Sequence, residues 1–251
     1  MRKLLLPLLI GCSLTAGLTQ AATFSENVKE AMKSELRSDK DKERDRNRKP
    51  VETLEFLGIQ DDMKVLELIP GGGWYTSLLA PALKDKGQLY VGMASDRLKE
   101  GLFNQDGFNK VKSVSNDAKW ERNKEEKRWD LSNIDFGVKN IDAVLTFRNY
   151  HNLSLATRTE INEEALKTLK PGGIYGIVDH TRRHMQDEND ENGRRIDPVL
   201  VIKEVQAAGF EFVDYSNMHY KADDELRYEV GRKSVTGNSD RFTLLFKKPM
   251  K

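Results

Sequence analysis

Residues 65–83 read VLELIPGGGWYTSLLAPAL, an apolar run carrying Glu67, then Gly71, Gly72 and Gly73, then a short apolar helical pattern. Lys64 to Ile69 has the character of a strand. Thr76 to Leu83 places Leu78, Leu79 and Leu83 on one face of a helix. The glycines therefore fall on a strand-to-helix corner. There they permit a tight turn, let the backbone approach a ligand without Cβ interference, and allow close helix packing. In an open parallel sheet ligands sit beyond the carboxyl ends of the strands, so this corner marks the candidate site.

Three kinds of ligand compete for such a corner. A phosphate-cradling P-loop needs Lys and Ser or Thr after its last glycine, whereas Gly73 is followed by Trp74-Tyr75-Thr76. A dinucleotide site needs G-x-G-x-x-G, and Thr76 stands where the third glycine belongs. A nucleoside whose linker carries no phosphate remains, and S-adenosylmethionine is such a ligand.

Outward from the corner, strand-like and helix-like segments alternate. Pro50 opens a helix with Val51, Leu54 and Leu57 at helical spacing and Gly58 as its stop. After the glycine corner, further strands are expected at 88–93, 110–115, 142–147 and 174–178, the last entered through a Pro171-Gly172-Gly173 turn. Helical segments are expected at 97–103, 160–169 and 198–208. A polar excursion, 180–195, precedes the last of these helices. Two more strands, 210–215 and 241–247, close the chain around a polar insert, and the absence of a helix between them predicts an antiparallel edge hairpin. The fold class is α/β, a mostly parallel seven-stranded sheet with helices on both faces.

The N-terminal part reads differently. Arg2 and Lys3, the apolar run Leu4 to Leu18 and Thr19-Gln20-Ala21 make residues 1–22 a signal peptide cleaved near Ala21, so the chain is expected to be exported to the periplasm. Leu9-Ile10-Gly11-Cys12 resembles a bacterial lipobox, which makes a lipid anchor at Cys12 the competing reading. The apolar run is too short for a comfortable permanent span, so no stable membrane insertion is expected after cleavage. Cys12 is the only cysteine, and its loss leaves a chain that forms no disulfide. Residues 23–49 are expected to form a charged helix or linker, and 50–251 the domain proper. The stretch RSDKDKERDRNRK (37–49) has no apolar side chain and is expected to stay solvated; the sharper reading folds Arg44, Arg48 or Lys49 over an anionic group. A formal charge of +1 and 32% charged residues exclude a polytopic membrane protein and give no attraction to nucleic acid.

PGGGWYT, LTFRNYHN, LKPGGIYGIVDH and RRIDPVLVIKEVQAAGF together resemble a family of exported bacterial predicted methyltransferases. VLELIPGGGWYT by itself resembles the first motif of class I S-adenosylmethionine-dependent methyltransferases. The resemblance covers roughly residues 44–248 and implies a Rossmann-like class I methyltransferase fold. It implies S-adenosylmethionine as cofactor, with Gly71 and Gly73 lining its methionine portion, Gly72 between them also counted as cofactor-binding, and Glu67 orienting the loop or the ammonium group. The class usually closes the second strand on an acid that holds the ribose hydroxyls. Met93 stands there, with Asp96 three residues on as a substitute, and Asp117 at the position that commonly contacts the adenine amino group. Ile69 replaces the first glycine of the general motif.

The remaining chemistry gathers where the fourth and fifth strands end. His151 is the candidate general base, because an imidazole takes a proton near neutral pH, and Asp179 is the second catalytic candidate, in an orienting pair with His180, although neighbours on a strand point to opposite faces. Tyr75, Arg148, Asn149, His180 and Arg195 are candidates for holding a substrate, the arginines for an anionic one. The four histidines show no metal-ligand spacing, so no metal is expected. The expected function is periplasmic methyl transfer to an unidentified small molecule. The alternative is a binding or regulatory protein that keeps the fold without catalysis, for which Met93 is the best sequence argument. Nothing in the sequence sets an oligomeric state.

Overall fold

A computed structural model describes residues 23–115 and 117–251. The signal peptide and Cys12 fall on residues 1–22, outside the described residues. No helix among the described residues is long and apolar enough to cross a membrane.

Strands β1 (Lys64–Leu68), β2 (Gln88–Gly92), β3 (Lys112–Val114), β6 (Ile141–Phe147), β7 (Leu169–His180), β8 (Glu211–Ser216) and β9 (Arg241–Lys247) form one sheet in the order β3-β2-β1-β6-β7-β9-β8. The β1, β2, β3, β6 and β7 ladders are parallel, and β9 pairs antiparallel with both β7 and β8. The Rossmann-like sheet and its antiparallel edge hairpin are thus as the sequence predicts. β4 (Lys119–Asn123) and β5 (Arg128–Ser132) add a separate antiparallel hairpin that the sequence reading did not include.

Strand alternation sorts the core onto two faces. Leu66, Leu68, Val144 and Ile177 meet α7 (Leu155–Thr168) and α8 (Pro198–Ala207) through Ile161, Ala165, Val201 and Val205. Val65, Ala143, Leu145 and Val178 meet α4 (Pro50–Phe56) and α5 (Thr76–Leu83) through Leu54, Leu78 and Leu79. Several boundaries differ from the sequence reading. α7 starts five residues earlier than expected because Ser154 caps it, its hydroxyl accepting from the Thr157 amide. β7 starts at Leu169, so the Pro171–Gly173 turn becomes a register irregularity within the strand. The helix expected over 97–103 is divided into α6 (Asp96–Glu100) and a 3₁₀ turn at Leu102–Asn104.

The N-terminal segment belongs to the second core face. α1 (Phe24–Lys33) starts on a capping box between Thr23 and Glu26 and buries Phe24, Val28 and Ala31. α2 (Asp39–Glu43) and α3 (Asp45–Arg48) follow. The expectation that 37–49 stays solvated is corrected here, since Arg37 and Arg48 are both buried. Arg37 is held by a bidentate pair with Asp45, at 2.6 and 2.9 Å, and by the Met32 carbonyl, while its buried Nε has no hydrogen-bond partner. Arg48 lies over the Trp74 ring, 4.3 Å from its centroid. Long side chains with aromatic and carboxylate partners thus replace the missing apolar residues.

If α1 is part of the core, Phe24→Ala lowers the unfolding free energy by about 3 kcal/mol, the usual cost of emptying a buried phenylalanine site. Urea denaturation measures this, and a change near zero would mean that α1 contributes nothing to the cooperative unit.

Candidate functional site

The chain runs from β1 outward to β2 and β3, then returns to β6 on the other side of β1. This reversal opens a crevice beyond the ends of β1 and β6. The residue following each of β1, β2 and β6 takes a left-handed backbone without being glycine: Ile69 (φ +52°), Met93 (φ +60°) and Arg148 (φ +62°). Each such conformation costs on the order of 1 kcal/mol or more and persists only where its surroundings enforce it. Here they do. The Ile69 amide donates to the Gly92 carbonyl at 2.8 Å, the Asn149 side chain donates to the Ile69 carbonyl at 2.8 Å, and the Arg148 amide donates to the Val178 carbonyl at 2.7 Å.

Gly71 (φ +59°) and Gly73 (φ +78°) take left-handed conformations that glycine adopts at least cost, and Gly73 is also favoured by space. A Cβ on Gly73 would stand 2.8 Å from Leu98 Cδ2. One at Gly71 or Gly72 would meet nothing within 4 Å, because those two border the open crevice.

The crevice holds a cavity of about 260 Å³. Ile69 to Gly72 form its floor, Phe147 to Asn149 one wall, and Arg44 and Arg48 reach it from the N-terminal segment. Tyr75 stacks on Phe147 with ring centroids 3.6 Å apart and meets Trp74 edge-on at 4.7 Å. Trp74 Nε1 donates to the Asp41 carbonyl at 3.0 Å, and the Tyr75 hydroxyl to the Arg48 carbonyl at 3.4 Å. The aromatic pair after the glycines therefore pins the charged segment across the crevice.

Glu67 lies buried at the base of this cavity, with the Thr76 hydroxyl donating to its Oε2 at 2.6 Å. Burial pushes its carboxyl up to about 7, with the Thr76 bond and Arg48 pulling the other way. Burial likewise lowers Arg48 to about 9, assisted by repulsion from Arg148.

The structure brings Glu67, Gly71, Gly72, Tyr75, Arg148 and Asn149 together around the one cavity. The other candidates lie elsewhere. Met93 is fully buried, and Asp96 is exposed on α6, paired with Lys99 at 2.9 Å, so no acid borders the crevice at the second strand. Asp117 is exposed and borders a separate cavity near β3.

His151 and Asp179 are both buried. Asp179 accepts from His151 Nδ1 at 2.6 Å and from its amide at 2.9 Å. That fixes the proton on Nδ1 and leaves Nε2 as the basic nitrogen. His151 borders a third cavity of about 500 Å³, beside Arg128 and Glu188, and not the glycine corner.

His180 packs 5.6 Å from His151, its Nδ1 bonded to the Ser239 hydroxyl at 2.9 Å and its Nε2 accepting from Arg148 Nε at 3.2 Å. Arg195 is fully buried, with its donors taken by the Tyr228 and Thr181 carbonyls and by Asp224. It ties the insert before β9 to the end of β7 and reaches none of these cavities. Lys49 turns away to the Met218 carbonyl. The sequence reading missed Arg241, which opens β9 directly opposite His180. That pairing is long-range, and no local pattern signals it.

The fold is that of the class I methyltransferases. A S-adenosylmethionine-dependent methyltransferase from Aquifex aeolicus superposes with a TM-score of 0.56 over 79% of this chain and 89% of its own, at 17% identity. A putative sarcosine dimethylglycine methyltransferase from Galdieria sulphuraria gives 0.54 over 82% and 86%, at 14% identity. The [4+2]-cyclase SpnF gives 0.56 over 82% and 81%, at 17% identity. No protein-family model matches the chain, and no curated protein matches it in sequence.

Because the Glu67 carboxyl is raised from 4.5 to about 7, the fold favours its neutral form. The resulting stabilisation is present below the unfolded pKa and is lost as pH rises through about 7. Relative to Glu67→Gln, the wild-type chain without ligand is expected to lose about 3 kcal/mol of unfolding free energy between pH 4.5 and pH 8. Parallel pH profiles for the two chains would mean that Glu67 ionises normally.

Proposed function

We propose that the chain is an exported, periplasmic S-adenosylmethionine-dependent methyltransferase of the exported bacterial family that its motifs resemble, acting on a small-molecule acceptor. The observation that carries this reading is a buried acid, Glu67, at the base of a glycine-cornered crevice whose other side is lined by Arg48. That donor set fits the amino-acid end of the cofactor: Glu67 would take its ammonium group and Arg48 its carboxylate. It does not provide an acid for the ribose hydroxyls.

When bound, S-adenosylmethionine supplies a methyl group on a sulfonium, already activated for direct displacement, so alignment provides much of the catalysis. The chain's own part is positional. Gly71 and Gly72 leave the floor open, Tyr75 and Phe147 form a dry wall, and the α2–α3 segment restricts water from above. For an acceptor that arrives protonated, His151 Nε2 is the base, with Asp179 holding its tautomer. Its place beside the third cavity requires an acceptor that extends past Arg148 and His180.

A second reading keeps the fold as a binding protein without transfer. Its support is the hydrophobic Met93 where the ribose acid is expected, with Asp96 turned out to solvent. The cyclase SpnF shares the fold, so the fold does not dictate methyl transfer.

Calorimetry on the purified chain separates these readings. S-adenosylhomocysteine is expected to bind, and methylthioadenosine, which lacks the amino-acid end, to bind at least about tenfold more weakly, since each charge-assisted contact contributes about 1.5–3 kcal/mol. Asp96→Ala changes that affinity by less than about threefold, and Gly71→Val abolishes binding by forcing a β-branched residue into a left-handed turn. No heat with either S-adenosylmethionine or S-adenosylhomocysteine at high micromolar concentration rejects the methyltransferase reading. Binding with no transfer to any acceptor favours the second. His151→Ala should retain binding and reduce turnover at least about a hundredfold; unchanged turnover removes it as the base.

A further inference from the structure

Beside the crevice lies a second cavity of about 220 Å³, between the N-terminal segment, the end of β7 and the insert that precedes β9. Arg44, Arg48, Arg148, Arg194 and Arg241 all border it, and no carboxylate does. Two of the five are neutralised elsewhere: Arg194 pairs with Glu229, and Arg44 stands 3.4 Å from Asp41. Among the described residues, Arg48, Arg148 and Arg241 form no ion pair with any acid. Arg148 spends its Nε on His180, and Arg241 spends one nitrogen on the Asn47 carbonyl at 3.1 Å. Arg241 is 6% exposed, and its buried Nε has no hydrogen-bond partner.

Buried cations without a partner cost several kcal/mol each, and they are ordinarily paired or hydrogen-bonded. Here the buried Arg48 and Arg241 and the half-buried Arg148 sit together, held by the Trp74 face, the Asn47 carbonyl and His180 and, among the described residues, by no ion pair, and they repel one another. Burial first, and then Arg148, brings Arg241 down to about 10. His180 adds no charge to the group. Arg148 Nε can only donate, so His180 Nε2 accepts, and its Nδ1–H is left to donate to Ser239. Burial, His151 and Arg241 keep its pKa well below the usual histidine value. The cavity thus presents guanidinium donors and no acceptor charge. Its volume suits a small ligand, and guanidinium groups match planar carboxylate and tetrahedral phosphate oxygens.

We propose that this second cavity is an anion-binding subsite that takes a carboxylate or phosphate group on Arg148 and Arg241, and that the anion belongs to the methyl acceptor. The anion site stands on the geometry alone, whereas its assignment to the acceptor rests on the methyltransferase reading. Arg44, Arg48 and Arg148 border both cavities, so a molecule anchored here extends directly to the crevice at the glycine corner.

The test is calorimetric titration of the full chain with inorganic phosphate, malonate and, as neutral control, malonamide, at about 150 mM salt so that surface charges are screened. Saturable binding of phosphate or malonate is expected, and the better of the two identifies the group. Arg241→Gln should weaken that binding at least about tenfold while changing S-adenosylhomocysteine affinity less than about threefold, because Arg241 does not border the crevice. Absence of saturable anion binding, or equal binding by Arg241→Gln, overturns the proposal.

Should that variant fail to fold, phenylglyoxal modification of the wild-type chain, read by mass spectrometry, replaces it. The bound anion then slows reaction at Arg148 and Arg241 and not at the exposed Arg227. Equal reaction with and without anion overturns the subsite. Anion binding without any S-adenosylhomocysteine binding upholds the subsite and removes the acceptor assignment.

Discussion

Everything near the crevice depends on how the backbone leaves β1. A strand that ends in a buried sheet must turn sharply to reach the helix above it, and here the turn begins at Ile69 in a left-handed conformation. A β-branched residue is a poor choice for that conformation, and a glycine would cost less. The turn is nevertheless held from both neighbouring strands, by Gly92 at the end of β2 on one side and Asn149 beyond β6 on the other. The exits of β2 and β6 take the same left-handed conformation, at Met93 and Arg148, so three adjacent strands bend away together and the crevice opens between them. Gly71 and Gly73 complete the turn, and Gly73 gives the space into which Leu98 packs.

The second constraint is the polar segment laid over that opening. Residues 37–48 bring almost no apolar surface, so they cannot dock by the hydrophobic effect alone. They dock through Trp74 and Tyr75. Arg37 and Arg48 both lie over Trp74, its indole nitrogen bonds the Asp41 carbonyl, and Tyr75 is fixed by stacking on Phe147. α1 anchors the start of the segment in the core and α4 its end. The cost of this arrangement is a set of arginines brought close to one another under the same roof.

The legible parts of the molecule were those that local pattern encodes. The apolar run to Glu67, the glycine corner and the spaced leucines of α5 identify a strand, a turn and a helix without further information. KWERN, by contrast, has one apolar side chain, Trp120, and RWDLS has only Trp129 and Leu131 in alternation, a pattern too short and too charged to identify a two-stranded hairpin. Glu67, Arg148 and Asn149 were legible as residues that border the crevice because they lie at strand ends. Arg241 was not, because its position opposite His180 follows from a pairing between residues 61 positions apart in the chain. Arg195 misled for the same reason. Its type suggested a ligand, whereas its fully buried contacts with Asp224 and Tyr228 make it a strut for the insert.

The two arginine-lined cavities form one electrostatic unit. Arg148 lowers the pKa of both Arg48 and Arg241, and Arg48 in turn opposes the upward shift of Glu67. Negative charge beside Arg148 and Arg241 therefore relieves their mutual repulsion and raises the guanidinium pKa values. It also offsets the positive potential that favours ionised Glu67, so the acid at the base of the crevice responds to what occupies its neighbour. The coupling needs no movement of the backbone, because the same three side chains, Arg44, Arg48 and Arg148, border both spaces. Guanidiniums crowded at two adjoining cavities without a facing carboxylate in the second cost stability, and ligand binding explains them better.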